Sequence, residues 1–351
     1  MRLGTIASNL IERVALAAGL VPTPLLDTVV ANLLSHTVLV ATRVGVFEAL
    51  RAGPRSAASV AQACGTDAAA TAKLLTALVG CGYLRCARDQ FSLAPLARKW
   101  LLADSPASLR DAILYQVVDT RYIEHFEEFV RTGVALDIHE HMSAEEWSLY
   151  QRAMRSGANL SVKEVVLRTP VPRHARRLLD IGGSHGYYSV AFCRKHPQLH
   201  AVILDLPEAA QSAAALLARE GMGDRISYQV GDARCTDLGS GSYDVVFIAN
   251  LVHHFDAATN QDLTVRAARA LRPGGLLVIA ELVRPRTPSR AGQIGALADL
   301  YFAATSLSGT WSSEEIAAWQ REAGLAVRRP IRLVTAPGGA LHVARKREEV
   351  R

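Results

Sequence analysis

The sequence predicts an α/β protein: the back half is a parallel sheet covered by helices on both faces, and the front half is mostly helical. Three observations carry this. After "TPVPRH" (169–174), short apolar runs alternate with helical stretches: "RRLLDIGG", "HAVILDLP", "RISYQVGD", "YDVVFIAN" and "GLLVIAEL". Before it, alanine-rich stretches repeat apolar residues at helical spacing, with no alternating strand longer than a few residues. The chain closes with "LAVRRPIRLV" and "ALHVARK" around "APGG", two extended runs that predict an antiparallel hairpin added to the sheet.

In the front half, "NLLSHTVLVATRVGVFEAL" (32–50) is apolar on nearly every face, more than one domain surface can bury, so a partner subunit is the expected cover. Asn32, His36 and Arg43 interrupt it, and Asn9, Glu12 and Arg13 interrupt the first twenty residues, which argues against a membrane span. Glu12 also breaks any signal-peptide core, so a cytoplasmic protein is expected. "TDAAATAKLLTALVGC" then opens on Thr66 or Asp67 as N-cap and places Leu74, Leu75, Leu78 and Val79 at helical spacing. "GYLRCARDQFSLAP" follows as two short strands about a polar turn. Helix, helix, hairpin is the order of a winged helix, yet the helix that would read DNA offers only Lys73 to reach bases or phosphates. An assembly module is the expectation, with DNA binding as the minor alternative. The expected divisions are a winged-helix domain over 1–110, a helical linker contributing to a substrate pocket over 111–172, and a ligand-binding catalytic domain over 173–351.

Composition narrows the function. The chain has 351 residues, enough for two domains, and half of it is hydrophobic. Its five cysteines (64, 81, 86, 193 and 235) contain no C-x-x-C pair, so neither a disulfide framework nor a zinc knuckle is expected. The net charge of +6 is spread over short clusters, "RHARR", "RRPIR" and "ARKR", too far apart to predict a nucleic-acid stripe. His139 and His141 in "DIHEHM" form an H-x-H with no further ligand pattern and read as a loop; no metal is expected.

"LLDIGGSHGYYSVAF" (178–192) is a strand, a glycine-rich turn and the start of a helix. Gly182, Gly183 and Gly186 let the backbone approach a ligand closely, and the helix start points free N–H groups at it. The dinucleotide pattern fails, because it would need glycines at Ser184 and Tyr187, and no G-K-[ST] follows for a phosphate loop. Asp205 ends the next strand, nineteen residues beyond Gly186, where a carboxylate accepts from both ribose hydroxyls. Asp232 ends the third, positioned for an adenine amine. Ribose and adenine contacts without a pyrophosphate site point to an adenosine whose 5′ end carries something else.

With these motifs in place, the sequence resembles the S-adenosylmethionine-dependent small-molecule O-methyltransferases that carry an N-terminal winged-helix dimerisation domain, as found in plant phenolic and bacterial natural-product pathways. The resemblance covers nearly the whole chain. It rests on "RVGVFEAL", "KLLTALVGCGYL" and "FSLAPLARKWL" in front, and on "LLDIGGSHG", "DLPEA", "GDA", "LVHHFD", "ALRPGGLLVIAE" and "WSSEEIAAWQREAGL" behind. It implies a Rossmann-like class I methyltransferase sheet, a homodimer through the N-terminal domain, and S-adenosyl-L-methionine as cofactor, leaving as S-adenosyl-L-homocysteine. Gly182, Gly186, Asp205 (ribose) and Asp232 (adenine) would contact it. Asp180, Gly183, Leu206 and Ala233, their neighbours in sequence, and Asn250, at the end of the fourth strand, are taken with them as cofactor-binding candidates. The family's usual third glycine is Ser184 here.

In the same family a catalytic histidine follows the fourth strand, and His253 is the matched position in "LVHHFD". A sulfonium methyl is already strongly electrophilic, while a neutral hydroxyl is a poor nucleophile near pH 7. The protein must therefore supply proton removal and in-line alignment, and an imidazole titrates in the right range. Glu281, at the end of the fifth strand, matches a family glutamate and is assigned to hold the second ring nitrogen. A further family glutamate has no counterpart, since Thr310 and Trp311 stand where it would fall. His254 faces either solvent or substrate, and Asp256 is expected to cap the next helix. "WSLYQRAM" (147–154) resembles the stretch that packs near the transferred methyl, making Tyr150 and Met154 pocket candidates. Asp299, Tyr301, Phe302 and Trp311 are further candidates, with plain core packing the alternative for Tyr301 and Phe302.

The expected function is transfer of a methyl group to a hydroxyl of a small aromatic secondary metabolite by a protein that binds neither nucleic acid nor membrane. Methylation of nitrogen or carbon, or a non-methylating use of the same cofactor, is the alternative on this scaffold; a winged-helix transcriptional regulator ranks below both.

Overall fold

The computed structural model describes residues 4–290, 292–306 and 308–348, without the side chain of Arg290. The chain divides into two compact units, one up to Gln116 and the other from Val117 on. The expected division at 110 falls at the first residue of a helix, Arg110–Glu124, that runs across this boundary.

The first unit contains the helix, helix, hairpin order. Helix Ala57–Cys64 starts on Ser56, whose hydroxyl accepts from the Ser59 N–H. Helix Ala68–Gly80 starts on Asp67, whose carboxylate accepts from Ala70; Asp67 rather than Thr66 is the cap. Strands β1 (Leu84–Ala87) and β2 (Gln90–Leu93) pair antiparallel through a turn in which Arg88 and Asp89 both take positive φ. Val46, Phe47, Leu50, Val60, Leu75, Leu78 and Leu84 form the core of this unit. The helical run Thr23–Arg43 stands apart: it is long and apolar enough, by length and composition, to cross a membrane, and only 22% of it is buried. Leu25, Val29, Val30 and Leu33 are 48–63% exposed, a face that this unit leaves uncovered.

The second unit is built on an eight-stranded sheet. β3 (Arg177–Ile181), β4 (His200–Asp205), β5 (Ile226–Val230), β6 (Tyr243–Ala249) and the long β7 (Leu271–Leu282) run parallel in the order β5-β4-β3-β6-β7. The near-continuous apolar character of β3, β6 and β7 follows from burial on both faces. β8 (Ala326–Val327) and β9 (Ile331–Arg332) are short, and both pair antiparallel with β10 (Gly339–Arg345), which itself lies antiparallel along β7. The predicted terminal hairpin thus closes one edge of the sheet. Helices Tyr187–Lys195 and Ala257–Ala270 contribute to the two apolar layers against the sheet, centred on Phe192 with Phe247 and on Leu263 with Val246. Residues 117–172 are largely helical, and helices Ala144–Ala158 and Val162–Arg168 pack on the helices that follow β3 and β4.

The chain crosses over between β3 and β6, so the strand order reverses at their carboxyl ends. That is where an open parallel sheet forms a crevice for ligands.

Candidate active site

The turns that follow β3, β4, β5 and β6 lie at the carboxyl ends of these parallel strands. The turn after β3 carries Gly182 at φ +68°, Ser184 at φ +50° and Gly186 at φ +70°. Gly183 is barred from larger residues by space rather than by its backbone angle: a Cβ there would lie 2.7 Å from Asp180 Cγ and 2.8 Å from Ile203. Asp180 is sealed beneath the turn, 1% exposed, where its Oδ2 accepts from the Ser189 hydroxyl at 2.6 Å. Burial pushes its carboxyl up to about 7, against the pull of the Ser189 hydroxyl. Asp180 therefore supports the turn from below.

Asp205, at the end of β4, is held by two backbone donors. Oδ2 accepts from the Ser184 N–H at 2.7 Å and Oδ1 from its neighbour Leu206 at 2.8 Å. Each oxygen retains a lone pair for a further donor. Ser184 is also gripped by Gln151, whose amide oxygen accepts its hydroxyl, and by Tyr228, whose hydroxyl donates to its carbonyl. The serine that replaces the family's third glycine is therefore a junction between the turn and helix Ala144–Ala158. This was not readable from the motif alone. Asp232 is tied by the Arg234 guanidinium, which contacts both oxygens and holds the carboxyl below its usual range, so it stays ionised. Ala233 is buried beside it.

Asn250 ends β6 exposed and in the left-handed region, φ +49°, a sparsely populated conformation for a non-glycine residue. The next residue, Leu251, lies over the glycine turn: a Cβ on Gly182 would come within 2.9 Å of its methyls. Val252–His254 then form one 3₁₀ turn, fixed by three donors from outside it. Asn260 Nδ2 donates to the carbonyls of Val252 and Phe255, Trp311 Nε1 donates to Val252 at 2.9 Å, and the Ser308 hydroxyl donates to Phe255. Asp256 caps the following helix through Thr259.

Within this fixed turn the His253 Nδ1–H donates to Glu281 Oε1 at 3.0 Å, with the imidazole 3% and the carboxylate 0% exposed. The Phe302 ring lies 3.8 Å from the imidazole, centroid to centroid, and tilted by 31°. His254 is not solvated. Its Nδ1 bonds to the Ser306 hydroxyl at 2.8 Å, and its ring lies 4.2 Å from His253 and edge-on to His139 at 4.7 Å. Burial, followed by the positive charge that His253 and His139 would carry, holds it well below the usual histidine range, so it is a neutral imidazole at pH 7.

His139, read from the sequence as part of a loop, sits on the 3₁₀ turn Ile138–Glu140, stacked on Trp147 and edge-on to Tyr150. Tyr150 is a neutral phenol whose pKa is raised by burial and by Asp205. The structure thus brings Phe302 and His254 against His253, and joins Tyr150 to His254 through His139. Met154, one turn beyond Tyr150, is 36% exposed. Asp299 and Trp311 serve as supports: Asp299 Oδ1 accepts both the N–H and hydroxyl of Thr310, and Trp311 holds the Val252 carbonyl. Among the described residues, no group of three or more His, Cys, Asp or Glu side chains is arranged to hold a metal ion.

Comparison with known proteins bears directly on this geometry. The O-methyltransferase domain description matches residues 108–326, and the O-methyltransferase dimerisation domain matches residues 26–103. The chain belongs to the S-adenosylmethionine-dependent O-methyltransferase family. O-demethylpuromycin-O-methyltransferase of Streptomyces alboniger is 30% identical over 291 residues, covering 78% of this chain and 76% of that protein. The 3-hydroxy-5-methyl-1-naphthoate 3-O-methyltransferase of Streptomyces sahachiroi is 27% identical over 331 residues, covering 90% and 93%. Among solved structures, human N-acetylserotonin methyltransferase in complex with SAM superposes with a TM-score of 0.83 at 18% identity, over 98% of this chain and 100% of that one. That likeness places this O-methyltransferase in the class I fold.

Proposed function

We propose that this O-methyltransferase methylates a hydroxyl group on a small aromatic metabolite, with His253 as general base. The observation that carries the reading is the buried His253–Glu281 pair on a fixed turn, with Leu251 of the preceding loop packed on the glycine turn. The arrangement fits S-adenosylmethionine: the turn after β3 holds Gly182 and Gly186 at positive φ, Asp205 is immobilised with lone pairs to spare, and Asp232 stays ionised for an amine donor. When bound, the cofactor supplies an electrophilic methyl group.

The protein's own residues do the rest. Glu281 fixes the His253 tautomer with the proton on Nδ1, which leaves Nε2 as the acceptor for the hydroxyl proton. General-base action of this kind contributes roughly 10²- to 10⁴-fold. The imidazolium that forms is met by the Glu281 carboxylate and the Phe302 ring. Phe302, Tyr150, Trp147 and His139 offer ring faces and edges suited to a planar substrate, and the relatives' naphthoate substrate is of that kind.

The uncovered apolar face of Thr23–Arg43 overlaps the matched dimerisation domain, and we read it as the homodimer contact. The experiment that tests the catalytic reading incubates the protein with labelled S-adenosylmethionine and a panel of phenols, catechols and hydroxyquinones, wild type against His253→Ala. Label in the organic extract that collapses in the variant, while cofactor binding persists, supports it. Equal label in the two sinks it, and product analysis fixes the methylated atom.

A further inference from the structure

The 3₁₀ turn after β6 carries two imidazoles, and the structure treats them alike. His253 gives its Nδ1 to Glu281 and His254 gives its Nδ1 to Ser306. Each retains Nε2 with no partner among the described residues, and the ring centroids are 4.2 Å apart. Both rings are oriented by groups from outside the turn: Glu281 at the end of β7, and Ser306 just past helix Gln293–Thr305. The buried Ser306 hydroxyl, its residue only 3% exposed, satisfies one nitrogen of His254 and fixes the ring, so it is the second nitrogen that is left to a ligand. Around the pair the lining is otherwise aromatic: Phe302 on one side, His139 edge-on to His254 on the other.

With the two imidazole centroids 4.2 Å apart, a planar aromatic ring whose reacting hydroxyl meets His253 Nε2 is wide enough to reach His254 as well. A bare C–H edge would cover the His254 Nε2 and leave a polar nitrogen without water or partner. An oxygen on the adjacent ring position would satisfy it. We infer that His254, oriented by Ser306, is a substrate-positioning residue that selects aromatic substrates bearing a second oxygen next to the hydroxyl that is methylated. As a neutral imidazole His254 can either donate to a carbonyl or accept from a hydroxyl, so a 1,2-diol and an ortho hydroxy-carbonyl share the required chemistry. This inference rests on the reading of His253 as the base at the same site. It adds a substrate class and a division of labour: one histidine takes the proton, and the other sets which hydroxyl is presented.

The test compares 2,3-dihydroxynaphthalene with 2-naphthol, which differ only in the second oxygen, using the full-length protein and its His254→Phe and Ser306→Ala variants. Phenylalanine keeps the ring packing against His139 and removes both nitrogens. Wild type is expected to prefer the diol by roughly tenfold to a hundredfold in kcat/KM, the cost of leaving one buried polar atom unpaired. In His254→Phe the preference should collapse through loss on the diol, and Ser306→Ala should erode it part of the way. The same ratio is read from dissociation constants measured by calorimetry in the presence of S-adenosylhomocysteine, which does not require turnover. Equal kcat/KM or equal affinity of wild type for the two naphthols overturns the inference, as does a His254→Phe variant that lowers both by the same factor. The base reading fails separately, if His253→Ala still methylates 2-naphthol at the wild-type rate.

Discussion

The His253 Nδ1–H donates to Glu281 Oε1 over 3.0 Å, and that same oxygen also accepts the Leu282 N–H at 2.9 Å. Its twin, Oε2, is buried with no hydrogen-bond partner among the described residues. The carboxylate is therefore held by few donors, and much of its charge remains available to an imidazolium. Glu281→Gln keeps the shape but lets the amide donate, so the imidazole is free to take the wrong tautomer. A loss in kcat of roughly a hundredfold or more is expected, with KM changing less. Steady-state kinetics with a phenol that the wild type methylates checks this; an unchanged kcat would remove Glu281 from the mechanism.

His253→Ala should lower kcat by roughly 10²- to 10⁴-fold, the range for a lost general base. The candidate cofactor carboxylates Asp205 and Asp232 lie at or just past the ends of other strands, so calorimetric affinity for S-adenosylhomocysteine should stay within about twofold of wild type.

Asp205→Ala removes a side chain that joins the glycine turn to the end of β4 through Ser184 and Leu206. Affinity for S-adenosylhomocysteine should fall by roughly tenfold to a hundredfold, as expected when a charged hydrogen-bond acceptor is lost. Equal affinities measured by calorimetry would mean that the ribose is held elsewhere.

Asp180 carries a pH signature. Its folded-state pKa, raised from 3.8 to about 7 by burial, lies above the unfolded value. Between about pH 4 and 7 the folded protein therefore binds more protons than the unfolded chain, and this group's contribution to stability falls as pH rises through that window. Asp180→Asn removes the titration while retaining an acceptor for Ser189. The difference in urea midpoint, variant minus wild type, should grow from pH 5 to pH 8. A difference that does not change with pH would show that Asp180 is ionised in the fold throughout.

Leu33 is 63% exposed within the uncovered helical face. Leu33→Glu should convert a dimer to a monomer in light scattering, with little change in the circular dichroism of the fold. A wild-type protein that is already monomeric would end the homodimer reading.

Much of this architecture was legible because it is written in local patterns. The apolar runs of β3, β6 and β7 are buried on both faces, so their periodicity and length sufficed. Asp67 and Asp256 cap the helices they precede, a relationship spanning three residues. The site was legible where a motif keeps a residue at a strand end, as with Asp205 and His253. It was obscure where the partner is distant in sequence. Nothing near "DIHEHM" shows that His139 packs against His254, and nothing near "LVHH" shows that Ser306 fixes the second ring. Asp299 and Trp311 stood on plausible pocket helices, but periodicity could not show that the Thr310 N–H and the Val252 carbonyl would claim their polar atoms.

The contact between Gly182 and Leu251 has a consequence for how such chains diversify. The side chain of Leu251 fills the space in which a Cβ on residue 182 would stand, at 2.9 Å. A methyl group gained at 182 would strain a backbone held at φ +68° and also push the Leu251 side chain aside, so what stands at 251 bears on the cost of any change at 182. The two positions, one on the glycine turn and one on the loop that leads to His253, are thus coupled through a single contact. A lineage that remodels its acceptor end through residue 251 inherits a constraint from its donor end.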